Sequence, residues 1–288
     1  MTTPSPGPAL VVMAAGRAKR YGGGLKPLAQ VGPEEETIID LLASDAIGAG
    51  FATLVIVVSR ESRPPIEAHV RRAWPSSLDV RFALQPEALG TVDAVLAAYS
   101  QLDGAISFGV SNADDLYGLE AFSLLARHLS QGSSTNALVA FHLEKAVIGP
   151  SAVTRGVCRI GPHGQLLQLD ERRGVTRRSD GRFDTTDDGS PTVLEPAALV
   201  AMNLWGFHSS LEAEFRMAMA STSGREVLLP ELVGQLVERP TGSVRFEVLR
   251  TDSRCVGVTH PGDLDLVRAD VAGQIARGER PARLWPDR

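Results

Sequence analysis

ALVVMAAGRAKRYGGGLKPL, residues 9–28, sets an apolar run against a glycine-rich loop carrying two lysines and two arginines. ALVVMAA (9–15) has no polar side chain to turn toward water, so it reads as a strand buried on both faces. Behind it, small residues let successive backbone N–H groups converge on an anion without interference from Cβ atoms. Arg20 and Lys26 can neutralise the charge such a ligand brings. Taken alone, the stretch supports an anion site of unspecified kind, or a plain glycine-rich turn with solvated basic residues. It is neither G-x-G-x-x-G nor G-x-x-x-x-G-K-[ST], because Pro27 follows the lysine. A dinucleotide cofactor site and a P-loop are therefore not supported.

Outward from this strand, apolar runs alternate with amphipathic ones. EETIIDLLASDAIGAG (35–50) has helical spacing and stops at glycine, and TLVIVVS (53–59) is a second buried strand. PPIEAHVRRAW (64–74) reads as a helix whose prolines suit its first turn. LDVRFAL (78–84) alternates as a strand, GTVDAVLAAYSQL (90–102) is helical, and AISFGV (105–110) is again a strand. Strands alternating with helices predict a doubly wound α/β fold, with ligands outside the carboxyl ends of the strands. The loops at 14–26, 85–91 and 111–118 all fall at that end.

From about residue 150 the pattern loosens. GVCRI and QLLQLDE predict a hairpin around GPHG, and ERRGVTRRSDGRFDTTDDGSPT (171–192) is polar and aperiodic, which predicts a mobile loop. ALVAMNLWGF (198–207) is strand-like, with helices expected on either side of GREVLLPELVGQLVE. HPGDLDLVRADVAGQIARG (260–278) predicts a helix with a proline-led start. No repeat is visible. The expectation is one domain over 9–288, with a nucleotide-binding half at about 9–130 and a β-rich half at about 131–288, after a flexible 1–8.

Composition narrows the class. The 288 residues are 43% hydrophobic and 22% charged, with a net charge of −5, as in an ordinary globular protein and without a nucleic-acid signature. Cys158 and Cys255 lie far apart, and the six histidines have no metal-ligand spacing, which argues against a zinc site or a disulfide framework. MTTPSPGPAL lacks a basic region followed by an apolar one, and no run approaches a membrane span. The expectation is a cytoplasmic protein with no membrane or nucleic-acid partner.

The opening loop resembles the signature of the sugar-1-phosphate nucleotidylyltransferases, in which a strand leads into an Ala-Gly-rich loop with an arginine and a following lysine. LQPEALGTVDAVLAA, SNADDLYG, GVCRI followed by LLQLDER, VAMNLWGF and the terminal GVTHPGDLDLV are similar to further family segments in the same order. The bacterial branch carrying NADDFYG is the nearest in pattern. The resemblance runs from about residue 9 to 285 and implies a Rossmann-like, GT-A-type nucleotidyltransferase fold. It also implies a reaction: a nucleoside triphosphate binds with Mg²⁺, and a sugar 1-phosphate (or a cyclitol phosphate) attacks its α-phosphorus, releasing pyrophosphate. Such a displacement between anions is driven mainly by positioning and charge neutralisation.

Carried over by position, Ala14, Ala15 and Gly16 would contact the nucleotide through their backbones. Arg20 would hold the triphosphate, and Lys26 the α-phosphate or the attacking phosphate. Gln85, Gly90 and Thr91 match the segment that reads the base, although Thr91 also suits a helix N-cap. Asp114, just past a strand, is the metal candidate, whereas Asp115 is read as a cap of the next helix. Gly156, Glu171, Arg172, Asn203 and Trp205 match the sugar-phosphate side; Arg172 replaces a lysine there, and Trp205 also suits the core. Ala18 stands where many members have glycine. A second metal aspartate of the family falls near Pro230, with Glu226 and Glu231 as neighbours, and that ligand stays open. Relatives often assemble through outer helices, so a homo-oligomer is among the expectations. Two other functions fit the same elements: a nucleotide-sugar-dependent glycosyltransferase, or a non-catalytic nucleotide-sensing homologue.

Overall fold

The structure, a computed structural model, describes residues 7–16, 24–132, 134–186, 192–222, 224–240, 244–258 and 262–285. Strand β1 (Ala9–Met13) is the centre of a parallel set with β2 (Thr53–Val58), β3 (Asp79–Leu84) and β4 (Ser107–Asn112), in the order β3-β2-β1-β4. The unbroken apolar reading of β1 has a direct cause. Leu10 and Val12 enter the core on one face of the sheet, Ala9 and Val11 the core on the other.

Helices α1 (Ile38–Gly48), α2 (Arg63–Ala73) and α4 (Leu119–Ser130) cover the first face, and α3 (Thr91–Ala98) covers the second. Thr37 and Asp40 close a capping box at the start of α1. Asp40 also accepts hydrogen bonds from His69 Nε2 at 2.7 Å and from Trp74 Nε1 at 2.6 Å, tying α1 to α2. Burial pushes its carboxyl pKa up, but these bonds and the one from Thr37 outweigh it and hold the group below its ordinary value.

The sheet continues past β4 with antiparallel strands. Short β5 (Asp115–Leu116) precedes α4, and β6 (Asn136–His142) leads into the single turn α5 (Leu143–Ala146). Then come β7 (Val153–Ile160), β8 (Leu166–Arg177), β9 (Phe183–Asp184), β10 (Val193–Leu194) and β11 (Leu199–His208). Strand β11 pairs with β6 along one edge, and along its other edge with β7 near Val200 and with β4 from Trp205, so one sheet runs through both halves of the chain. Helices α6 (Glu212–Ser221) and α7 (Leu229–Val237) join α3 on the second face. Strand β12 (Phe246–Thr251) pairs parallel with β6, β13 (Val256–Gly257) pairs with β5, and α8 (Asp263–Ala276) returns to the first face.

Three expectations change here. The polar stretch 171–192 is not a loop throughout: β8 runs on to Arg177, and β9 and β10 extend it as a ribbon, with 187–191 outside the described residues. Its aperiodic look comes from strands that leave the core, where Val175, Phe183 and Thr185 are the buried ones among the described residues. The stretch GREVLLPELVGQLVE does not separate two helices; its second half is itself α7, and β12 follows. Finally, strands β6 and β12 occupy stretches for which no element was predicted above.

Candidate active site

A cavity of about 600 Å³ opens at the carboxyl end of β4 and runs across β11 to β7, β8 and α7; the described residues after β1, Ala14, Ala15 and Gly16, are not among those lining it. That volume suits a small ligand. Strands β7 and β11 pair only at Val200–Val157 and Ala201–Gly156, and the residues beyond this split, 153–156 and 201–203, line the cavity.

At the end of β1, Ala14 and Ala15 are buried, and Gly16 is exposed beyond them. The backbone is pinned there: Ala14 N–H donates to Val57 O, and Ser62 Oγ donates to Ala14 O. Arg20 and Ala18 lie outside the described residues. Lys26 opens a short 3-10 helix, and the following Pro27 is buried in its first turn. That turn directs Lys26 Nζ to within 3.4 Å of Asp114 Oδ2. Two residues 88 apart, one behind the glycine-rich loop and one behind β4, thus meet, and of the two Asp114 lines the cavity.

Gly90, at the N-cap of α3, has φ 96° and ψ −176°. Only glycine takes such a conformation readily. Gln85 Nε2 donates to Gly90 O at 3.0 Å and to Asp93 Oδ2 at 2.8 Å, so its amide nitrogen is spent on fixing this turn. Gly90, not Thr91, holds the cap position; Thr91 lines the cavity, and its hydroxyl accepts from Leu229 N at 2.7 Å, joining α3 to α7.

Asp115 departs from the expected cap role. The N-cap of α4 is Gly118, and Asp115 instead lines the cavity, where Asn112 Nδ2 donates to it at 2.8 Å. Burial, and after it the charge of Asp114, raise its pKa to about 6 against the opposing effects of Asn112, Arg155 and Lys26. The two carboxylates thus concentrate negative charge beside Lys26.

On the wall formed by β7, β8 and β11, Gly156, Glu171 and Asn203 all line the cavity. Asn203 gets there through a bulge: the β11–β6 register shifts between Ala201 and Trp205, and Asn203 takes φ 59°. Trp205 does not reach the cavity. Its ring is fully buried, stacked on Phe207 and edge-on to Phe246, while its Nε1 donates to Asn203 Oδ1 at 3.2 Å. Arg172 is not among the lining residues either, since it points to the opposite face from Glu171; its Nη2 lies 3.8 Å from Asp170. Of the candidates near the missing family aspartate, Pro230 and Glu231 line the cavity and Glu226 does not.

The sequence reading missed Arg155, which lines the cavity among carboxylates. An arginine one residue before Gly156, inside a predicted strand, was the available signal. Burial lowers its pKa, with Asp115 and Cys255 opposing. Neither cysteine offers a thiolate: both are free thiols, and burial pushes Cys158 up to about 12 and Cys255 well above its usual value. Among the described residues, no group of three or more His, Cys, Asp or Glu side chains is placed to hold a metal, and no helix is long and apolar enough to cross a membrane.

The sequence pattern of the nucleotidyl transferase family matches residues 10–172, more than half of the chain. The chain belongs to that family. It is a nucleotidyltransferase enzyme of α/β fold. The bifunctional protein GlmU of Pelobacter propionicus is 33% identical over 136 residues, which is 46% of this chain and 28% of that protein's length. The inositol-1-phosphate CTP transferase from T. maritima superposes with a TM-score of 0.66 over 93% of this chain and 98% of its own, at 12% identity, a likeness of fold. Membership places the chain with the nucleotidyltransferases and not with the glycosyltransferases.

Proposed function

We propose that this nucleotidyltransferase joins a nucleoside triphosphate to a sugar 1-phosphate or cyclitol phosphate, giving a nucleotide sugar and pyrophosphate. The observation that carries the reading is the meeting of Lys26 and Asp114 at 3.4 Å, with Asp114 lining a cavity whose far wall is Gly156, Glu171 and Asn203. A cation and a carboxylate at strand ends suit phosphates, and a wall with a carboxylate, an amide and a bare glycine backbone suits a polyhydroxylated acceptor.

In the reaction, an oxygen of the acceptor phosphate forms a bond to the α-phosphorus while the bond from that phosphorus to the bridging oxygen of pyrophosphate breaks. The attacking oxygen is already ionised at neutral pH, so no general base is required. Lys26 holds the α-phosphate region against charge repulsion, and Arg20 would do the same for the departing pyrophosphate. Gly90 and Gln85 keep the base-side turn rigid, and Glu171 and Asn203 orient the acceptor.

The donor set fits Mg²⁺. With no cage of three or more such ligands among the described residues, Asp114, with Asp115 beside it, could hold an ion that also takes oxygens from substrate phosphates. Bound there, Mg²⁺ would supply neutralisation of phosphate charge. Chain and substrates would meet in the cytoplasm, and assembly through the outer helices would leave the cavity accessible. The test is a matrix of common nucleoside triphosphates against sugar and cyclitol phosphates with Mg²⁺, read by pyrophosphate release. Release that depends on both substrates is expected; consumption of a nucleotide sugar without pyrophosphate chemistry would overturn the reading.

A further inference from the structure

Strand β11 is irregular where it crosses the cavity. Ala201 pairs with Ala140 and Trp205 with Leu138, so four residue steps on β11 stand opposite two on β6. The surplus residues form a bulge, with Asn203 at φ 59°. Outside glycine, asparagine is among the residues that enter this left-handed region most readily. Both flanks of the bulge are pinned. On one side, the fully buried Tyr117 donates from its hydroxyl to Met202 O at 2.9 Å and accepts from Asn112 N–H at 3.0 Å. On the other, Trp205 Nε1 donates to Asn203 Oδ1 at 3.2 Å.

That last bond carries a direction. An asparagine can turn either end of its amide to a partner that both donates and accepts, but an indole nitrogen only donates. The Trp205 ring has no room to turn away, since it is fully buried, stacked on Phe207 and edge-on to Phe246. Oδ1 of Asn203 is therefore held toward Trp205. Its Nδ2, with two hydrogens to donate, meets no partner among the described residues, and Asn203 lines the cavity. The floor beside it is bare: Ala201, Gly156 and Glu171 form one row across β11, β7 and β8. At roughly 5 Å per strand, Glu171 stands about 10 Å from the β11 backbone, a span that one sugar ring with its hydroxyls bridges. Arg173 Nε donates to the Glu171 carboxylate at 3.0 Å, and an ionised carboxylate only accepts.

We infer that Trp205 is a positioning residue that sets the polarity of the acceptor subsite, by holding the Asn203 amide so that it donates into the cavity. The inference rests on the sugar-phosphate reading and gives it a rule of discrimination. The ring substituent that meets Asn203 must offer a lone pair, as a hydroxyl or carbonyl oxygen does. An ammonium group at that point faces two N–H donors and is rejected, whereas the Glu171 end accepts one.

The test uses the full chain, the variants Trp205→Phe and Asn203→Asp, and sugar 1-phosphates in which each ring hydroxyl is replaced in turn by an amino group. Folding is checked by circular dichroism. Aspartate keeps the bond from Trp205 and tolerates the left-handed backbone, but it turns an acceptor to the cavity. At one ring position, wild type should prefer hydroxyl to ammonium roughly 10- to 100-fold in kcat/KM. In Trp205→Phe the amide is free to turn, and that preference should fall to within about threefold; in Asn203→Asp it should reverse. A tryptophan that served packing alone would leave the ratio unchanged while both kcat/KM values fell together. That result, or no preference at any position in wild type, would overturn the inference. Asn203→Asp alters no core side chain, so an unreversed preference in it counts against the inference as well. The indole N–H proton resonance, assigned by its loss in Trp205→Phe, gives an arm that needs no turnover. It should move upfield in Asn203→Ala, where the carbonyl partner is gone, and an unmoved resonance would overturn the inference. If wild type turns over no acceptor, the proposed reaction fails, and the indole resonance still decides whether Trp205 holds the amide.

Discussion

Gly90→Ala tests how the two walls of the cavity are joined. At φ 96° and ψ −176°, a residue with a Cβ carries roughly 1–3 kcal/mol of backbone strain. A Cβ there would also lie 2.3 Å from Val227 O and 2.7 Å from Val227 N, so backbone must move. The atoms it would displace make the bonds between α3 and the segment before α7: Val92 N–H to Val227 O at 3.1 Å, and Val227 N–H to Leu89 O at 2.9 Å. Each is worth about 1 kcal/mol. Strain and lost bonds together come to about 3–5 kcal/mol, a large share of the stability of an ordinary domain. The control is Gly104→Ala, where φ is 73° but no atom lies within 4 Å of the added Cβ; its cost is the left-handed penalty of about 1–2 kcal/mol. Urea unfolding of both variants reads the difference directly. Equal losses for the two would refute the claim that Gly90 is there because two backbone segments approach too closely for any side chain.

Other outcomes follow from the same geometry. Trp205→Phe should keep most of the core but free Asn203, raising the acceptor KM in steady-state kinetics, whereas Trp205→Ala should cost about 3–5 kcal/mol in denaturant unfolding. Asp115→Asn should stabilise the protein by about 2 kcal/mol near pH 8: a carboxyl raised to about 6 contributes stability below its unfolded pKa that is lost as pH rises through the folded value. Unfolding free energies from pH 5 to 8 should therefore fall more steeply in wild type than in the variant. Asp40 has the opposite sign. Its lowered pKa gives stability that is present above the ordinary carboxylate value and lost as pH falls through the folded one. Asp40→Asn should be less stable at neutral pH, with the gap closing in acid unfolding.

The central strands were legible because burial on both faces leaves few polar residues, as Leu10 and Val11 show by entering opposite cores. Lys26 and Asp114 were legible because each follows a strand end, and the fold brings such ends together. Asp115 was misread since a helix-start carboxylate and a cavity carboxylate look alike until the backbone path is known; here a short β5–β13 pairing holds it away from the helix. The ribbon after Glu171 escaped notice because strands projecting beyond the core have no need of alternation. Arg155 was hidden for a different reason: Asp115, the carboxylate whose charge opposes its burial, comes from the short β5 and meets it only in three dimensions.

Phosphorus NMR of a mixture of nucleoside triphosphate, sugar 1-phosphate and Mg²⁺ tests the central claim most directly, because it follows the bond that forms and the bond that breaks. The account predicts a nucleotide sugar and pyrophosphate appearing in equal amounts, with Lys26→Ala and Asp114→Asn each slowed by roughly 100-fold or more while remaining folded. Inorganic phosphate as the product, or full activity in either variant, would contradict it.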